Sequence, residues 1–170
     1  MEVSIAIYLV LLFITIYIKR GPLLKRLGFK DDIKLARESL IALAFLGFLL
    51  VTSMVIGLIF HQIGMGQDVQ RTTEILRQIP IHNVLIILLI GSFIEEVFFR
   101  GLIQERTNIW IASTIFAIFH ITYGTVTQIV GTFFLGLILG YQYERTGGVY
   151  SPIISHTFYN LIVILPIYII

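Results

Sequence analysis

The chain has 170 residues, enough for one domain, of which 57% are hydrophobic and only 13% charged, with a formal net charge of +2. A soluble domain this small needs a larger polar share, because surface grows almost as fast as volume at this size; a water-soluble globule and a nucleic-acid binder are therefore excluded. The sequence has no cysteine, which rules out a disulfide framework and a thiolate nucleophile.

Taken in chain order, the apolar segments 3–18, 40–60, 83–104, 108–123, 127–143 and 151–170 each approach the ~20 residues that cross a bilayer as a helix. The expected fold is all-α, a polytopic transmembrane helical bundle of about six spans. It forms a single membrane domain over 1–170, with two helices and loops in 1–82 and the chemistry-bearing helices in 83–170. The first segment reads as a retained span, because its cations, Lys19 and Arg20, follow the apolar run. The loop after it adds Lys25, Arg26, Lys30, Lys34 and Arg37, and later connections on the same side carry Arg106 and Arg145. The opposite side has Arg71 and Arg77, so the positive-inside rule puts the first loop in the cytoplasm and both termini outside.

In the outer segment 61–82, Val69, Ile75, Leu76 and Ile79 form a weak helical stripe suited to an interface. The last helix has a start signal in Gly147-Gly148 followed by Ser151 as N-cap and Pro152 at the first helical position. Gly136-x-x-x-Gly140 reads as a helix packing contact. Gly64-x-Gly66 lacks the context of a nucleotide loop, and no HExxH is present.

Ionisable residues inside spans cost several kcal/mol (~2.5–3.5 each on insertion scales) and persist where they pair or do chemistry. The third segment reads SFIEEVFFRGL. Glu95 and Glu96 point about 100° apart on a helix, whereas Glu96 and Arg100 share a face in the order favourable for an ion pair. The simplest assignment pairs Glu96 with Arg100 and leaves Glu95 as the free carboxylate; the bland alternative has all three snorkelling at the interface. Phe116 and His120 share one stripe of the fourth segment, His156 and Asn160 one stripe of the sixth. Singly, the histidines read as packing residues and Asn160 as interhelical glue. Depth joins them: at 1.5 Å per residue, Glu95, His120, His156 and Asn160 lie about 13, 18, 8 and 14 Å from the cytoplasmic helix ends.

Together, Glu95-Glu96-x-x-x-Arg100, Phe116-x-x-x-His120 and His156-x-x-x-Asn160 resemble the signature of the CPBP family of CAAX proteases and bacteriocin-processing enzymes, also called Abi proteins. The resemblance covers roughly residues 84–170 and implies a membrane-embedded endopeptidase acting on a peptide or membrane-anchored protein. It implies Glu95 as the base that activates water, His120 as a water holder, His156 and Asn160 as oxyanion donors, and Glu96 and Arg100 as support. A metal-free glutamate mechanism is favoured; the alternative is zinc held by Glu95, His120 and His156. The expected location is a bacterial or archaeal cell membrane, with the lipid bilayer as partner and the site open to the cytoplasm. The competing readings are a non-enzymatic membrane immunity or regulatory protein and a small proton-coupled transporter.

Overall fold

A computed structural model describes residues 2–30 and 34–169. The described residues form helices without strands: α1 (Glu2–Ile18), α2 (Leu23–Arg26), α3 (Leu35–Gln62), α4 (Gly66–Arg77), α5 (Ile81–Ile86), α6 (Ser92–Phe98), α7 (Ile109–Phe119), α8 (Val126–Thr146) and α9 (Tyr150–Ile164). Among the described residues, all six expected apolar segments are largely helical. Leu35–Gln62, Val126–Thr146 and Tyr150–Tyr168 are long and apolar enough to cross a membrane, and Ala6–Ile18 and Ile109–Phe119 are shorter apolar helices. Ile170, the expected end of the last span, lies outside the described residues.

Local signals set several ends. Asn108 caps α7 by accepting from the Ile111 amide at 3.0 Å, and Thr125 caps α8 through Gln128 at 3.4 Å. Gly147 ends α8 in the left-handed region, at φ +71°. The expected cap at Ser151 is corrected by the structure: α9 starts two residues earlier, after Val149, with no side-chain cap. The Ser151 hydroxyl is drawn instead into interhelical bonding, donating to the Glu38 carbonyl at 3.0 Å and accepting from Gln142 at 2.8 Å. Gln142 also bonds Ser155, which donates to the Ala42 carbonyl at 3.0 Å. This chain of polar groups ties α3, α8 and α9 together where lipid supplies no hydrophobic drive for association.

Residues 81–104 run as one helical rod with π-helical stretches at Ile87–Gly91 and Phe99–Gln104 on either side of α6. π turns are rare and concentrate at functional sites. Each contains a glycine where the N-terminal part of the chain comes close. A Cβ on Gly91 would sit 2.8 Å from the Tyr8 hydroxyl, and one on Gly101 would sit 3.2 Å from the Leu27 carbonyl. Lys19 donates to the Gly101 carbonyl at 2.8 Å.

Two apolar clusters complete the interior. Leu11, Ile94, Phe98, Phe99, Leu102 and Phe116 join α1, the α6 rod and α7, while Leu49, Leu135 and Leu139 join α3 and α8. Gly136 and Gly140 let α8 approach its neighbours, Gly136 against Ser113 and Phe116 and Gly140 against Ile109 and Gln104. Large apolar side chains such as Phe13, Phe48, Met54, Trp110, Ile118 and Phe158 face outward, as a lipid solvent permits.

The segment expected to lie along the interface is the amphipathic α4. Its Asp68 carboxylate accepts from the Val126 and Thr127 amides at 3.0 and 3.2 Å, at the positive end of the α8 dipole. Arg77 donates to the Ile167 carbonyl at 3.3 Å, and Tyr168 to that of Leu76. This helix is strapped across one end of the bundle.

Candidate active site

The adjacent carboxylates of α6 occupy different surroundings because the helix turns about 100° between them. Glu96 is wholly buried, and Glu95 is half-buried on a cavity wall. Glu96 Oε2 accepts from Arg100 Nε at 3.1 Å, within the same rod. Its other oxygen, Oε1, lies 2.8 Å from His156 Nδ1 on α9. The local pair expected from spacing is therefore present, and it is extended by a bond between helices.

Arg100 is also wholly buried. Its guanidinium carbon lies 5.3 Å from the Phe116 ring centroid, a cation–π contact, and its two terminal nitrogens have no hydrogen-bond partner among the described residues. Phe116 packs against both imidazoles, with centroids 4.5 Å from His120 and 6.0 Å, edge to face, from His156. One ring thus buttresses the arginine and both histidines.

The hydrogen bonds constrain the tautomers. With ionised Glu96 accepting from Nδ1, His156 keeps a proton there and turns Nε2 toward Glu95, whose Oε2 is 3.7 Å away. His120 ends α7, and its Nδ1 lies 2.8 Å from the Phe116 carbonyl, which can only accept, so Nδ1 carries a proton. Asn160, one turn beyond His156, donates through Nδ2 to Ser92 Oγ at 3.0 Å. The second amide hydrogen is not used in that bond.

Glu95, His120, His156 and Asn160 all line one cavity of about 680 Å³, together with Tyr8, Ser92 and Phe116. Glu96 and Arg100 stand behind its wall. The other end of the cavity is lined by Asp68, Thr72 and Leu76 of α4 and by Ile167. Its described lining residues include none from the end that carries Lys19, Arg20, Arg106 and Arg145. The described lining thus extends from the polar cluster toward the α4 end. Several bonds tie the segments at the basic end. Lys30 bonds the buried Glu38 at 2.5 Å and the Thr146 carbonyl at 2.8 Å, and Val149 donates its amide to the Gly28 carbonyl at 3.1 Å.

Among the described residues no three His, Asp or Glu side chains form a group that could hold a metal ion. His156 commits Nδ1 to Glu96, and Phe116 occupies the space against both imidazoles.

Two site residues escape the sequence reading. Ser92 had a usable signal, lying three residues before Glu95 and hence on its face. Tyr8 had none: its hydroxyl donates to Glu95 Oε1 at 2.9 Å across 87 residues of sequence.

Known proteins match the same part of the chain. A family described as Type II CAAX prenyl endopeptidase Rce1-like matches residues 77–162, the stretch that carries all three polar motifs. The "Uncharacterized protein YpbD" of Bacillus subtilis is 37% identical over 81 residues, which is 47% of this chain and 42% of that protein. The "Putative membrane peptidase YdiL" of the same organism is 29% identical over 113 residues, 62% of this chain and 46% of that protein. The matches thus span less than half the length of either relative. No solved structure matches. With its family match covering half the sequence, the chain belongs to the Type II CAAX prenyl endopeptidase Rce1-like family.

Proposed function

We propose that this chain is an intramembrane endopeptidase in which Glu95 activates water against a peptide bond. The observation that carries the reading is the convergence of Glu95, His120, His156 and Asn160, from three helices, on the wall of one cavity. Peptide hydrolysis needs a base, donors for the developing oxyanion and fixed geometry, and these side chains supply all three.

Glu95 Oε2 takes a proton from a water that His120 Nε2 helps to hold. The resulting hydroxide adds to the scissile carbonyl carbon, and the free Asn160 amide hydrogen and His156 Nε2–H stabilise the oxygen that becomes negative. Because the Nδ1 proton is engaged in the bond to Glu96, donation from Nε2 requires the doubly protonated ring, and Glu96 supplies its counter-charge. The C–N bond then breaks, and the departing amine leaves with the proton held by Glu95. Glu96 and Arg100 act by holding His156 in place.

The substrate is a peptide or membrane-anchored protein segment that enters from the α4 end, the side opposite the basic loops. No metal takes part in this mechanism. The test is cleavage of a peptide library by purified protein in liposomes, read by mass spectrometry. Glu95→Gln is expected to lose ~10²–10⁴-fold in rate, the usual worth of a general base. Undiminished cleavage by that variant overturns the proposal.

A further inference from the structure

We propose that Tyr8 is a positioning residue of this site, fixing the Glu95 carboxylate so that Oε2 is the oxygen presented to water. The inference rests on the endopeptidase reading and extends it to a helix outside the family-matched residues 77–162.

The Tyr8 hydroxyl has only one proton to give and donates it to Glu95 Oε1 at 2.9 Å. The other oxygen, Oε2, faces His156 Nε2 at 3.7 Å. Without the phenol, the carboxylate is free to turn about its last torsion, which is broad for an sp²-terminated side chain. With it, the two oxygens are inequivalent, one engaged and one turned to the reactive side. Tyr8 and Glu95 both line the cavity, so this contact lies in the reaction chamber and not in the packed interior.

The surrounding backbone accommodates the contact. Gly91 closes the π turn that precedes α6, and a Cβ there would meet Tyr8 Oη at 2.8 Å and Cζ at 3.0 Å. A side chain at 91 would therefore push the ring off Glu95. Leu11, one turn along α1 from Tyr8, is buried against Ile94 and Phe98 and anchors the helix in this register. The site thus draws on α1 as well as on α6, α7 and α9.

The experiment compares wild type, Tyr8→Phe and Gly91→Ala in liposomes, on whichever library peptide the wild type cleaves. Tyr8→Phe is expected to lower kcat about tenfold with KM within about twofold, the signature of a lost charge-assisted hydrogen bond that acts on the reacting group. Gly91→Ala, which keeps the hydroxyl but displaces it, is expected to give the same split. A second readout does not depend on turnover: the infrared carboxylate band of Glu95, isolated by difference against Glu95→Gln, should shift in Tyr8→Phe. A wild-type kcat in Tyr8→Phe, or an unshifted band, overturns the inference. A wild type that cleaves nothing sinks the endopeptidase reading instead, and the infrared band still decides the contact.

Discussion

Replacing either member of the Glu95-Glu96 pair by glutamine should separate stability from chemistry at adjacent positions. Glu96 and Arg100 are both 0% exposed, and the Nε–Oε2 bond at 3.1 Å is the ion pair between them. Glu96→Gln removes the negative charge while the guanidinium stays buried, its terminal nitrogens already without partners. The cation–π contact with Phe116 exists before and after the change, so it offsets nothing. Breaking a buried pair in this way costs ~3–5 kcal/mol. Glu95→Gln, by contrast, alters a half-buried group on a cavity wall, where the amide oxygen can still accept from Tyr8. Its stability should change by less than ~1 kcal/mol, while the activity falls by the ~10²–10⁴-fold expected for a missing base. Helicity followed against SDS mole fraction in mixed micelles gives the stabilities, and peptide cleavage gives the rates. Equal destabilisation by the two variants, or an unaltered unfolding curve for Glu96→Gln, would refute the division of labour between the carboxylates.

The remaining predictions address packing, closure and orientation. Gly140→Ala places a methyl group 2.7 Å from Ile109 Cγ1 and 2.8 Å from Gln104 Oε1, and should destabilise by ~1–3 kcal/mol in the same titration. Lys30→Met leaves the Glu38 carboxylate, 1% exposed, without its ion-pair partner and should lower stability by ~3–5 kcal/mol. Asp68→Ala removes the acceptor that joins α4 to the first amides of α8; hydrogen exchange should quicken across 66–77 and at the start of α8, with a loss of ~0.5–2 kcal/mol. Because the sequence has no cysteine, Glu74→Cys and Arg106→Cys each introduce a single label site. In sealed cells an impermeant maleimide should modify the former and not the latter; the reverse pattern would overturn the orientation drawn from the basic loops.

Helix by helix, the sequence carried most of what local physics can encode. Runs of apolar residues near the bilayer length marked the helices, since an unpaired backbone in lipid is too costly for any other form. The spacing of Glu96 and Arg100 implied their contact because residues four apart on a helix are neighbours, and the same periodicity put Phe116 beside His120. Tertiary packing decided the rest. The bond from Glu96 to His156 spans 60 residues, and that from Tyr8 to Glu95 spans 87, distances over which no periodicity operates. The close approaches of α1 to Gly91 and of the first loop to Gly101 are equally non-local, and Ser151 is a bundle tie instead of a cap because Glu38 and Gln142 lie beside it. The cavity likewise depends on side chains that several helices bring together. Charge patterning reports on how a chain inserts into a membrane, whereas an opening is the space left over when side chains from several helices fail to meet.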